Sequence, residues 1–324
     1  MGDSFNFASP EGHAEALIAP VSRNVLDEIA SMKGALGRFA SAVDFANLES
    51  NAVAALTRIE RLIIEGRIEP LAKIRHSVES GHLPLAAREL RIGIFPTAAN
   101  PFHWAHLLGG LVAMERFLLD KVIFVIAGRD SRKPEMAAEE ARHSMARKIL
   151  GLFQPFFEYS SIARGTSTSG EDNLFRILSL NPAQPIHAFY IAGGDHYHRF
   201  HPVTGSPDTI QKLEERMSAR LSGGDRHWHR VSTVFLHRED EEGEISTFLD
   251  VHRVGRLPVQ TSSTEIRAAM EDRHCWQKLY TLPFAALRSI CESSLYRVRA
   301  CAELLDELHP LFGDSRSLRR VPPA

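Results

Sequence analysis

The spacing of apolar positions changes character near residue 90. Up to that point they recur at helical intervals, as in Val25, Ile29, Met32 and Leu36, and again in Val53, Leu56, Ile59, Leu62 and Ile63. This period predicts amphipathic helices and no strands over residues 14–80. Gly34, Gly37 and Gly66 are expected to break or bend them. Residues 1–13 hold Gly, Ser, Asn and Pro with little to bury and are expected to be disordered. Gly81-His82-Leu83-Pro84 reads as a linker that closes a helical region of residues 14–84.

Beyond Leu90, short apolar runs alternate with amphipathic segments. Strands are predicted at 91–95, 121–127, 186–192 and 231–237, with a weaker one at 156–160. Helices are predicted between them at 104–119, 137–153, 171–179 and 209–221. Repeated strand-then-helix order predicts an α/β domain, residues 85–324, with a parallel sheet covered on both faces and a C-terminal helical extension.

Composition narrows the function classes. Lys and Arg number 38 against 40 Asp and Glu in 324 residues, so no global field draws the chain to nucleic acid or to a membrane surface. No apolar run approaches the roughly 20 residues of a membrane span, and no signal peptide is evident, which leads to an expectation of a cytoplasmic protein. Cys275, Cys291 and Cys301 have no metal-ligand spacing and read as thiols of a reducing compartment.

The chemistry concentrates at 91–110, RIGIFPTAANPFHWAHLLGG. Arg91-Ile92-Gly93-Ile94-Phe95 reads as a strand that stops at Pro96. Thr97-Ala98-Ala99-Asn100-Pro101 reads as a loop, and an apolar helix starts near Trp104. His103 and His106 therefore fall where a strand hands over to a helix, the place where an open α/β sheet binds ligands and helix amides bind anions. Asn100-Pro101-Phe102-His103-Trp104-Ala105-His106 resembles the D-P-x-H-x-G-H signature of the nucleotidylyltransferase superfamily. Ala105 stands where that family usually has Gly, and the loop before Asn100 is about four residues longer than the common form.

Further segments follow in that family's order. Ala127 to Pro134 is a basic loop containing Lys133, and Arg142-His143-Ser144-Met145 matches its R-x-x-M. The polar run from Gly165 to Leu174 falls where mononucleotide adenylyltransferases carry a Thr-rich segment, although an ordinary helix N-cap accounts for Thr168 or Ser169 equally well. Gly193-Gly194-Asp195 ends a strand as the family's G-x-D does. Thr261-Ser262-Ser263-Thr264-Glu265-Ile266-Arg267 matches S-S-T-x-I-R, the second phosphate-binding signature of the nicotinate and nicotinamide mononucleotide adenylyltransferases. It also reads as a capping box. Leu282-Pro283 and Leu295-Tyr296 resemble the closing stretch. His196, His198, His201, His227 and His229 lack a completing carboxylate or cysteine pattern, so they are read as surface or packed residues and no protein metal site is expected.

The resemblance covers residues 91–298. It implies a Rossmann-like, doubly wound parallel sheet of the nucleotidylyltransferase type, with the N-terminal helices as an addition. It implies transfer of the adenylyl group of ATP to nicotinate or nicotinamide mononucleotide, with magnesium carried largely by the substrate phosphates. His103, His106 and Arg267 would be catalytic. Gly93, Phe95, Asn100, Lys133, Arg142, Gly193, Asp195, Ser262, Ser263 and Thr264 would bind nucleotide. Another phosphorylated acceptor, such as phosphopantetheine or a CTP-dependent one, and a non-catalytic nucleotide sensor remain alternatives. The expected partners are small molecules, with the N-terminal helices offering a surface for self-association.

Overall fold

The computed structural model describes residues 9–71, 79–129, 135–222, 229–237, 244–293 and 295–296. Two long helices come first, α1 (Pro10–Leu36) and α2 (Ala42–Ile64). The Ser9 side chain caps α1 by accepting from Gly12 N, so helix begins inside the segment expected to be disordered, and residues 10–13 are helical. Gly34 lies within α1 and does not break it. Gly37 caps that helix, and Gly66, at φ 65°, follows α2 in the left-handed region. Along α2 it is Ala52 that faces the core, whereas Val53 is turned outward.

The α/β part runs β1 (Leu90–Thr97), α3 (Trp104–Phe117), β2 (Lys121–Ile126), α4 (Glu139–Gly151), β3 (Phe157–Ser160), α5 (Gly170–Leu180), β4 (Ile186–Gly193), α6 (Thr209–Ser222), β5 (Arg230–Leu236), β6 (Asp250–Val254), α7 (Ser263–Glu271) and α8 (Phe284–Glu292). A 3₁₀ turn, Gly194–His196, follows β4, and another, Arg273–Thr281, joins α7 to α8. All strand pairs are parallel and the sheet order is β3-β2-β1-β4-β5-β6. The chain winds outward from β1 to β3, then returns to lay β4 beside β1, with Ile94 opposite Tyr190. This is the expected doubly wound α/β fold, with its topological switch between β1 and β4.

Two details correct the sequence reading. β1 does not stop at Pro96. It continues to Thr97 because Pro96 and Thr97 stay in register with Val125 and Ile126 of β2. β6 was not predicted: its residues Asp250-Val251-His252-Arg253-Val254 are an edge strand whose polar side chains meet solvent, so no apolar run marks it.

The sheet is buried on both faces. Leu90, Ile92, Ile94, Ile123, Val125 and Ala188 pack under α5 and α6. Phe95, Val122, Phe124, Phe157, Phe189 and Val234 face the opposite way, into one continuous core with α1, α2, α3 and α8. The N-terminal helices therefore share the α/β core. Asn24 donates to Leu152 O at 2.9 Å, and Glu28 accepts from Ala285 N at 2.8 Å, at the start of α8. The expected linker is fastened too, with Leu83 N donating to Asn181 Oδ1 at 2.7 Å.

Candidate active site

A cavity of about 430 Å³ opens at the C-terminal ends of β1, β4 and β5, where Thr97, Gly193 and Leu236 line it. Two helix starts converge on it. His103 is the extended N-cap of α3, and Ser262 is the N-cap of α7, its Oγ accepting from Glu265 N at 3.2 Å. Each start brings the positive end of a helix dipole to the same space.

The histidines are positioned by the turn itself. His106 N donates to His103 O at 3.0 Å, and His103 N donates back to His106 Nδ1 at 3.3 Å. An Nδ1 that accepts a backbone N–H places the proton of a neutral ring on Nε2, which lies 3.0 Å from Thr97 Oγ1. The two rings lie tilted at 31° with 3.8 Å between centroids, and Phe102 and Phe95 pack against His106. His106 thus has its orientation fixed by the end of β1 and by the cap residue of its own helix.

The loop between them, Ala98 to Pro101, is held from two sides. Ala99 sits at φ 49°, a left-handed conformation that costs a non-glycine residue roughly 1–2 kcal/mol. Asn100 Oδ1 accepts from Ala137 N at 3.0 Å. From α7, Arg267 Nη1 donates to Asn100 O at 2.7 Å and Ser263 Oγ donates to Pro101 O at 3.0 Å. From α4, Arg142 donates to Ala98 O (2.7 Å), Ala127 O (2.8 Å), Gly128 O (2.6 Å) and Ala137 O (3.0 Å).

Of the residues singled out in the sequence, Phe95, Asn100, His103, His106, Gly193, Asp195, Ser262, Ser263, Thr264 and Arg267 all line this one cavity. Two do not. Arg142 is 1% exposed and its guanidinium is spent on four carbonyls, so it shapes the loops and does not face the cavity; burial lowers its pKa from the ordinary arginine value. Gly93 lies mid-strand, where an added Cβ would approach Leu119, Val122 and Ile191 within 3.1 Å, so it is a packing residue. Lys133 lies outside the described residues. Thr168 and Ser169 serve the start of α5, with Ser169 and Asp172 forming a capping box, and neither lines the cavity. Tyr296 comes from the closing stretch: the charges of Arg267 and Arg142 both act on its hydroxyl, and burial outweighs them to raise its pKa.

Ala105, Glu135, Met136 and His196 also line the cavity. Sequence reasoning set His196 aside with its neighbouring histidines. The signal that would have found it is its place directly after Gly193-Gly194-Asp195, at a strand end. Among the described residues no cluster of three or more His, Cys, Asp or Glu side chains is arranged to hold a metal ion, and no helix is long and apolar enough to cross a membrane.

No protein-family model matches the chain. Individual proteins do. A probable nicotinate-nucleotide adenylyltransferase of Mycolicibacterium vanbaalenii is 28% identical over 220 residues, covering 65% of this chain and 94% of that protein. One from Thermoanaerobacter is 40% identical over 76 residues, but these are 23% of this chain and only 36% of that protein. One from Thermus thermophilus is 34% identical over 111 residues, 33% of this chain and 58% of that protein. Among solved structures, the Plasmodium falciparum nicotinic acid mononucleotide adenylyltransferase complexed with NaAD aligns with 65% of this chain and 99% of its own, at 15% identity and a TM-score of 0.49. By sequence, the chain is a distant homologue of the nicotinate-nucleotide adenylyltransferases.

Proposed function

We propose that this protein transfers the adenylyl group of ATP to a pyridine mononucleotide, nicotinate or nicotinamide mononucleotide, and releases pyrophosphate. One observation carries the reading. Two segments 162–167 residues apart, each resembling a phosphate-binding signature, meet at one cavity and are bonded to each other, through Arg267 to Asn100 and Ser263 to Pro101. The distant homology supports the same reading.

In this reaction a 5′-phosphate oxygen of the acceptor attacks the α-phosphorus of ATP, and the bond to the pyrophosphate oxygen breaks. The nucleophile is already an anion, so no side chain needs to remove a proton. The protein's work is to bring two anions together and to spread the charge on the phosphates. His103, His106, the start of α3, Ser262, Ser263 and Arg267 form a wall of donors suited to the triphosphate. Asp195, at the end of β4, suits a sugar hydroxyl. The same Nε2–H of His106 that meets Thr97 is the one available to a phosphate oxygen.

Magnesium fits this cavity as an ion carried in on phosphates, because among the described residues only Asp195 and Glu135 offer lining carboxylates and the rest of its shell would be phosphate and water. When bound it would neutralise phosphate charge.

The test is pyrophosphate release with ATP and magnesium against nicotinate mononucleotide, nicotinamide mononucleotide, phosphopantetheine and no acceptor. Release with one pyridine mononucleotide, abolished in His106→Ala, is expected. Silence with both pyridine mononucleotides would reject the reading. Release with phosphopantetheine would place the same chemistry on another acceptor.

A further inference from the structure

The turn after β4 brings an imidazole into the cavity that the proposed reaction does not use. His196 ends the Gly194–His196 turn, its side chain is 49% exposed, and it lines the cavity next to Asp195. It is not a loose surface histidine. Its Nδ1 lies 3.2 Å from Oδ1 of Asp208, whose side chain is only 6% exposed. That same oxygen accepts from Thr209 N at 2.8 Å, and Thr209 Oγ1 donates to the buried Glu171 at 3.0 Å. A second row thus fixes the ring from behind.

A carboxylate on Nδ1 keeps the proton there and leaves Nε2 as the atom the ring presents. Among the described residues Nε2 has no hydrogen-bond partner. The charges that act on the ring are Asp208 before α6, Asp195 on its own turn and Glu171 on α5, all acidic. Together they favour the imidazolium, whose pKa is raised chiefly by the hydrogen bond to Asp208, and an imidazolium carries a second N–H on Nε2. The location matters for ligand chemistry. The donors His103, His106 and Arg267 belong to the α3 and α7 walls, whereas the β4 wall would otherwise offer an anion only Asp195 and repulsion.

We infer that His196 is an anion-recognising residue of the cavity, presenting Nε2–H to a carboxylate or phosphate oxygen of the bound substrate. The anion site stands on this geometry; only the choice of nucleotide probes rests on the proposed function.

The experiment uses the full chain and the His196→Gln variant, which keeps a polar side chain of similar reach without the charge. Calorimetric binding is measured for inorganic pyrophosphate, ATP, nicotinate mononucleotide and nicotinamide mononucleotide, with a thermal melt to show that the fold is retained. At least a tenfold loss of affinity is expected for one or more anions, the usual scale for a charged hydrogen bond. Loss for nicotinate but not nicotinamide mononucleotide assigns the oxygen to the ring carboxylate. Equal loss for both assigns it to the 5′-phosphate, and loss for ATP and pyrophosphate alone assigns it to the triphosphate. Unchanged affinity for all four probes, or a wild-type protein that binds none, overturns the inference. Pyrophosphate binding needs no transfer reaction, so a protein that binds it yet adenylylates no mononucleotide rejects the proposed function while the pyrophosphate comparison still decides the role of His196.

Discussion

Arg267 Nη1 donates to the carbonyl oxygen of Asn100 across 2.7 Å and 167 positions of sequence. The bond makes the guanidinium both a charge at the cavity and a tether on the loop that leads to His103. Arg267→Ala removes both, and pyrophosphate release should fall by about 10²–10³-fold in kcat/KM. Arg267→Lys keeps the charge but loses the planar fork that reaches Asn100 and Thr264, so it should recover only a small part of that loss. Full recovery by lysine would mean that the tether is immaterial.

His106 is fixed by Thr97 at 3.0 Å. His106→Ala should lower turnover by about two orders of magnitude or more. Thr97→Val is close in shape but cannot hold the ring, so a smaller loss of about tenfold is expected, and Thr97→Ser should restore most of it. Equal rates in the valine and serine variants would remove Thr97 from the mechanism.

Arg142 answers four carbonyls from inside the fold. Arg142→Met removes that donor from all four and should destabilise the protein by about 3–5 kcal/mol in urea unfolding. Any folded fraction should show a raised KM for ATP, because Ala98 and Gly128 are then free to shift. A stable variant with normal KM would contradict the clamp.

At the opposite end of the sheet, burial, with help from the Arg230 and Arg91 charges, pulls the pKa of His187 down to about 4. Its Nε2 lies 2.7 Å from Ser232 Oγ and its Nδ1 3.3 Å from Arg91 Nη1. An unfolded histidine titrates near ~6.5. Between those values the unfolded chain takes up a proton that the folded one refuses, so stability is complete above about pH 6.5 and is lost as pH falls toward 4, by an amount on the order of 3 kcal/mol. Urea unfolding of wild type and His187→Gln at several pH values checks this. The wild type should lose stability relative to the variant over that window, and parallel curves would contradict it.

Much of the site was legible as order along the chain. Apolar runs marked five strands because a parallel sheet is buried on both faces, and the turn residues around His103 and Ser262 marked where strands give way to capped helices. The edge strand β6 escaped because solvent on its outer side permits Asp250, His252 and Arg253. Sequence alone also established that His103, His106, Ser262, Ser263 and Arg267 are the residue types an anion site requires. It could not show which of the matched residues share one cavity, because that depends on how a doubly wound sheet folds back beside β1. Tertiary structure turned Arg142 inward onto carbonyls and placed Gly93 in the packing between β2 and β4. It also brought Asp208 behind His196, 12 positions earlier, giving a histidine passed over as surface a fixed orientation at the cavity wall. Local pattern follows from periodicity and caps, whereas the partner of a buried charge is set by which distant segment the core brings beside it.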